Sequence, residues 1–257
     1  TGNVETTKGW DLDGDGVLEI VPNCPNGPLA VWKLNTDANG KGMAGFTRHE
    51  ISSALQGHGL GAGDITGNGR MDLIVGTGWY EAPKKPWEQE WVFHPEFDLG
   101  QTGIPIIVTD VNGDGLPDLI VGGGHRYGLE WYEQRVEKEK RRWIRHPIDP
   151  YNSQYHDMMW IDIDGDGEPE LVTGKRYRAH CGNDPGAKDP VGIYYFKWNG
   201  ESFSKQIIDF GPARIGTGLG IYFDMADLTG NGCPDLLAPG KDGLYVFYNE
   251  GPIDQPS

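Results

Sequence analysis

Residues 162–170 read DIDGDGEPE, and the pattern occurs five times along the 257-residue chain. The other copies are DLDGDGVLE from Asp11, DITGNGRMD from Asp64, DVNGDGLPD from Asp110 and DLTGNGCPD from Asp227. Successive copies start 53, 46, 52 and 65 residues apart. Self-similarity at such a period in a strand-rich chain points to a β-propeller of four-stranded blades. The third repeat supplies IPIIVTD, DLIVGG, GLEWYEQ and RWIRHPID as its strands, in order from innermost to outermost. Repeats two and four fill the same slots. The fifth ends after GLYVFYNE and lacks an outermost strand. The expectation is an all-β, single propeller domain over residues 1–257, with repeats centred on 11–19, 64–72, 110–118, 162–170 and 227–235. Five blades, or part of a seven-bladed ring, fit equally.

Composition agrees with many short strands joined by tight turns: 40 glycines and 18 prolines. Nine tryptophans and eleven tyrosines can build a core despite a mean hydropathy of −0.52. No run of about 18 apolar residues exists, so no membrane insertion is expected. The formal net charge of −16 argues against nucleic acid, whose binding needs lysine and arginine. Three cysteines (Cys24, Cys181, Cys233) give no CxxC pair and cannot form a full disulfide set. The chain opens at TGNVETTKGW without methionine, as a processed N-terminus would.

Oxygen side chains at loop positions 1, 3, 5 and 9 can surround a hard cation that takes six to eight oxygens. The first loop offers Asp11, Asp13, Asp15 and Glu19, and the fourth Asp162, Asp164, Asp166 and Glu170. The third has Asp110, Asn112, Asp114 and Asp118. The second (Asp64, Asn68, Asp72) and fifth (Asp227, Asn231, Asp235) keep two carboxylates each. Structural Ca²⁺ is expected in loops one, four and three, less so in the others. The alternative is a metal-free Asx-turn that only reverses the chain.

The seven histidines fall into two groups when the repeats are lined up. His49, His94 and His146 share one position in the outermost strand, where the fourth repeat has Gln206, and read as scaffold. His58 and His156 each lie six residues before a loop aspartate, roughly 20 Å from the loop along the innermost strand. His125 and His180 follow the second strand of their repeats. All four are expected on the face opposite the cation loops, near the central channel. Lys175, Arg176 and Tyr177 join them there, with Lys241 in the fifth repeat. The connection RYRAHCGNDPGAKDP over 176–190 has 15 residues, a length that is usually functional. Imidazoles around a channel can hold Zn²⁺ or a similar divalent metal, or simply hydrogen-bond to neighbouring loops.

The five loops resemble the FG-GAP/VCBS repeat family of β-propellers. GHGLGAGDITGNGRMDLIVGTGWYEAP, GGGHRYGLEWYEQ and VTGKRYRAHCGNDPG are similar to the propeller domain of aldos-2-ulose dehydratase and its bacterial relatives. That resemblance implies a zinc-dependent carbon–oxygen lyase acting on a keto-sugar, without the cupin domains of the fungal enzyme. On that reading His58, His156 and one of His125 or His180 hold the metal, and the remaining histidine is the acid/base. Lys175, Arg176 and Tyr177 would bind sugar hydroxyls or an oxyanion. The competing functions are a non-catalytic, lectin-like propeller binding a small carbohydrate or glycan, and an adhesion module. Trp79, Tyr80, Trp131 and Tyr132, if exposed, would stack on sugars; otherwise they pack between blades. Calcium loops and few cysteines suit a secreted or periplasmic protein.

Overall fold

Two glycines in each Asp-Gly loop adopt backbone conformations that residues with a Cβ rarely enter. In the computed structural model, which describes residues 3–241 and 243–251, the first of each pair has φ between 72° and 77° and the second between 80° and 92°. The five loops therefore share one backbone. The first aspartate accepts the N–H of the second glycine at 2.6–2.9 Å in all five. The acid at position 9 accepts the N–H of position 2 at 2.8–3.2 Å. These bonds close each loop as an Asx-type turn between the first two strands of its sheet.

The strands form five antiparallel sheets, the blades of a β-propeller. The first runs β1 (Thr6–Trp10), β2 (Glu19–Asn23), β3 (Pro28–Thr36), β4 (Gly42–Leu55). The second runs β5 (Leu60–Gly63), β6 (Asp72–Val75), β7 (Gly78–Glu81), β8 (Val92–His94). The third is β9 (Ile107–Thr109), β10 (Asp118–Gly122), β11 (Tyr127–Glu137), β12 (Lys140–Ser153). The fourth is β13 (Tyr155–Ile161), β14 (Glu170–Lys175), β15 (Val191–Trp198), β16 (Phe203–Gly211). The fifth has three strands among the described residues: β17 (Asp224–Ala226), β18 (Asp235–Gly240), β19 (Gly243–Phe247). The N-terminal β1 is the first strand of its own sheet and does not complete the fifth. Among the described residues no helix is long and apolar enough to cross a membrane.

The chain divides into two compact units, one of Thr1–Val121 with Trp131–His146 and one of Gly122–Glu130 with Pro147–Ser257. In the first unit, β6 shows why its short sequence DLIV is a strand. Leu73 and Val75 face one core, with Leu12 of the first loop and Val21, Leu29 and Val31 of the first sheet. Ile74 between them faces a second core, with Ile106 just before β9 and Leu119 and Val121 of the third sheet. Both faces are apolar because both are covered, and each such side chain contributes roughly 1.5–3 kcal/mol. The innermost strands approach closely: Ile106 N–H donates to Leu60 O at 2.7 Å, and a Cβ on Gly61 would lie 2.3 Å from Ile106 O. Only glycine fits there. In the second unit, Val172 and Ile193 of the fourth sheet pack with Leu219, Phe223, Leu236 and Ala238.

Trp79 is fully buried, and Trp131 and Tyr80 nearly so. They are packing residues between strands, so the sugar-stacking alternative for them is excluded. His94 stacks on Trp79 with ring centres 4.1 Å apart, and its Nε2 lies 3.1 Å from Glu81 Oε2. His146 repeats the arrangement on Trp131 at 4.5 Å and Glu133 at 2.9 Å. His49 tilts against Trp87 at 4.6 Å. These three histidines are scaffold, as their recurrence in one strand suggested.

Candidate functional site

The second unit holds the long connection between β14 and β15. Its first turn is backbone-strained: Arg178, His180 and Cys181, all non-glycine, have φ of 45°, 45° and 60°. Left-handed residues of this kind cost free energy and persist only where surrounding contacts determine them. Here the contacts come from Asp184. Its Oδ1 lies 2.9 Å from His180 Nδ1, and its Oδ2 lies 2.9 Å from His125 Nδ1. The two imidazoles stack face to face, 4.7 Å apart and 7° from parallel. A carboxylate only accepts, so His180 donates from Nδ1 and keeps Nε2 as its basic nitrogen in the neutral form, while His125 Nδ1 lies between Asp184 and the Arg176 guanidinium, 3.1 Å from Nη2. Burial pushes the Asp184 carboxyl up, yet the bonds from His125 and His180 outweigh it and hold it below its ordinary value. His156, fully buried in β13, meets His125 edge-on at 5.8 Å.

Arg176 fastens this cluster. Its guanidinium donates to Gln154 Oε1 at 3.2 Å and to the Gly124 carbonyl at 3.3 Å, and it sits 3.5 Å from Asp184 Oδ2. Lys175 differs from its expected role. As the last residue of β14 it is fully buried, and its ammonium donates to Gly186 O at 2.6 Å. Burial, with the neighbouring Arg176 charge, pushes its pKa down. It ties the far end of the connection to the sheet rather than facing solvent.

Beside the cluster lies a cleft of about 580 Å³. Tyr177, Leu219, Ile221, Tyr222 and Pro239 make its walls, and Arg176, His180 and Lys241 its polar edge. Lys241 is held there by donation to Arg178 O at 2.8 Å. Sequence reasoning singled out the histidines, Arg176, Tyr177 and Lys241, but missed Asp184, Gln154 and the apolar segment 219–222. The available signal for Asp184 was its place four residues after His180 in an unusually long connection.

His58 belongs to the first unit. It precedes β5, donates from Nδ1 to Thr102 O at 2.6 Å, and turns Nε2 toward Glu5 Oε1 at 3.5 Å. A carbonyl partner of this kind leaves Nε2 as the basic nitrogen of the neutral ring.

The cation loops divide into two kinds. In loop one, Lys33 Nζ of β3 lies 2.7 Å from Asp13, 2.7 Å from Asp15 and 2.9 Å from Glu19. In loop four, Lys197 Nζ of β15 lies 2.6 Å from Asp164, 2.5 Å from Asp166 and 3.4 Å from Glu170. In loops two, three and five, position 9 is aspartate. Its second oxygen instead accepts a backbone N–H, from Ala82, Gln134 or Asn249 at 2.7–2.8 Å.

Comparison with known proteins bears on the fold. An FG-GAP-like repeat model matches residues 11–75 and 110–173, half of the chain. No curated protein sequence matches. A solved Agrocybe aegerita lectin, described by its specific recognition of non-reducing terminal N-acetylglucosamine, aligns with 96% of this chain at 17% identity and a TM-score of 0.55. The chain spans 63% of that lectin's length. The V. cholerae biofilm matrix protein Bap1 aligns with 73% of the chain and 26% of its own length, at 19% identity and a TM-score of 0.37. The repeated loops, the meander sheets and the matched segments lead to one statement: this chain belongs to the FG-GAP-like repeat family of β-propellers.

Proposed function

We propose that this protein binds a carbohydrate in the cleft of its second unit. One observation carries the reading: an apolar wall of Tyr177, Leu219, Ile221, Tyr222 and Pro239 faces charged groups fixed from behind. Sugar rings present C–H faces that pack on such walls, while their hydroxyls need donors and acceptors that do not move. Arg176 and His180 meet that need, because Asp184 and Gln154 hold them before any ligand arrives. The existence of a lectin with this fold supports the reading.

A glycan array probed with the purified chain, followed by calorimetry on the best ligand, tests it. Tyr222→Ala and Tyr177→Ala should each weaken binding about tenfold, the scale of one lost aromatic contact. Binding that both variants leave intact would place the sugar elsewhere, and no binding to any glycan would defeat the proposal.

The His125–His180–Asp184 cluster favours a second reading, a keto-sugar lyase. Their ligand atoms lie within 4.8 Å of one another. Two imidazoles and a carboxylate this close are a donor set that would suit a zinc-type ion. Such an ion would polarise a ketone and acidify the adjacent C–H. Of the chain's own groups, His156 is positioned to move a proton, and Arg176 to stabilise an oxyanion. The likeness of GGGHRYGLEWYEQ and VTGKRYRAHCGNDPG to the propeller of aldos-2-ulose dehydratase points the same way. Zinc that stays with the His125→Ala/His180→Ala protein would sink this reading and leave glycan binding standing.

A further inference from the structure

Loops one and four contain the most carboxylates, and each already contains a cation. An ammonium group has three N–H donors, and Lys33 directs its own to Asp13, Asp15 and Glu19. Lys197 meets the matching trio of loop four. In the strand pairing, Ile20 faces Trp32 and Leu171 faces Phe196, which sets Lys33 and Lys197 beside the two position-9 glutamates. The other three blades place Glu81, Glu133 and Tyr248 at this position of the third strand.

Lysine and glutamate therefore occur together, in two blades, and neither occurs in this combination in the remaining three. Aspartate at position 9 is short and spends its second oxygen on a backbone N–H. Glutamate is one methylene longer: Glu19 Oε1 accepts from Lys33 at 2.9 Å, and Glu170 Oε1 lies 3.4 Å from Lys197. Burial works against the charge on Lys33, but the carboxylates around it hold its pKa above the ordinary lysine range. Asp15 is held down, mainly by its hydrogen bond from Lys33. Calcium needs six to eight oxygens at the place the ammonium takes, and the two positive charges would repel at contact distance. The residues present do not fit calcium.

We propose that Lys33 and Lys197 are resident cations that lock loops one and four and keep calcium out of them, so the two most acidic loops of this family member are metal-independent. The test is calcium content after chelation, re-addition of calcium and dialysis. Asp13→Asn and Asp164→Asn should leave the calcium bound per chain unchanged. Lys33→Gln and Lys197→Gln should each add one calcium per chain. Terbium provides a local reading for loop one, since Trp87 Nε1 donates to Asp13 at 2.5 Å and can sensitise a bound lanthanide. Its luminescence should appear in Lys33→Gln and be absent from the unmodified chain. Loss of calcium in either asparagine variant would overturn the proposal, as would Lys→Gln proteins that gain no metal. If a glutamine variant fails to fold, the asparagine variants and terbium on the unmodified chain decide alone.

Discussion

The first and third blades carry the same loop backbone and solve its electrostatics in opposite ways. In the first, the fully buried Glu19 shares Lys33 with Asp13 and Asp15. In the third, the fully buried Asp118 accepts the Val111 and Gln134 N–H groups and no lysine reaches it from the third strand, where the facing residue is an acid, Glu133. Glu133 then needs partners of its own. It takes Arg135 from its strand and His146 from the fourth. Burial pushes Glu133 up, but those two partners outweigh it and hold its pKa below the usual value. The second blade follows the third, with Glu81 beside Arg70 and His94. One side chain at one strand position thus decides whether positive charge enters the loop or stays outside it. It also explains why His94 and His146 sit on a glutamate and a tryptophan, while His49, near Lys33, sits only on a ring. Burial lowers the His49 pKa, and the Lys33 charge adds to the effect.

The largest expected effect comes from removing the position-9 acid of the third blade. Asp118→Ala leaves the buried N–H groups of Val111 and Gln134 without acceptors, each costing about 1–3 kcal/mol, and urea unfolding should show a loss near the sum. Glu19→Ala strips only the Leu12 N–H and leaves Lys33 two carboxylates, so its loss should be smaller. Equal losses would mean that the two designs do not differ.

Next in size is Lys33→Met in chelator, where Glu19 becomes a buried charge without its cation. Glu19 is fully buried and the Lys33 side chain 21% exposed, so the loss should be about 2 kcal/mol, below the full penalty for a pair buried on both sides. Adding Glu19→Gln should return most of it, and a double-mutant cycle measures the coupling.

Asp149 provides a lysine–carboxylate pair outside any loop, with Lys205 at 2.6 Å. Burial raises this carboxyl, but bonds from Lys205, Asn152 and Tyr155 outweigh it and bring its pKa down to about 2. A carboxyl lowered on folding stabilises the fold above its unfolded value, and that share is lost as pH falls through the folded one. The contribution should be about 1–2 kcal/mol after screening, present at neutral pH and disappearing between about pH 4 and 2. Asp149→Asn should flatten that part of the stability profile. A profile unchanged by the substitution would show that such pairs matter only inside loops.

The smallest effect is the graft. Glu133→Lys alone should destabilise the third blade, because Asp118 cannot reach the new ammonium. Adding Asp118→Glu should recover about 1 kcal/mol, a typical coupling between touching residues.

Much of this was legible before any coordinates. Five Asp-Gly repeats, strand-length apolar runs such as DLIV and the outer-strand position of His49, His94 and His146 specify the sheets and separate scaffold from site. These are local signals: a turn needs its glycines within a few residues, and a strand shows its buried faces in its own alternation. The long 176–190 connection also marked itself by length. The partnership of Asp184 with His125 was not readable, because 59 residues separate them and only the fold brings them to 2.9 Å. Nor was the inward turn of Lys175, since the same residue at a strand end can face either way.

By itself, then, the sequence determined the repeat, the loop backbone and the family, because each rests on contacts within about one strand and its turn. Tertiary structure alone decided what the charges do. Lys33 is 14 residues from Glu19, and Lys197 is 33 from Asp164; both look like ordinary strand lysines until pairing sets them against the acids. Count of carboxylates predicts a metal, but the free energy of a buried charge depends on whichever cation is nearest in space.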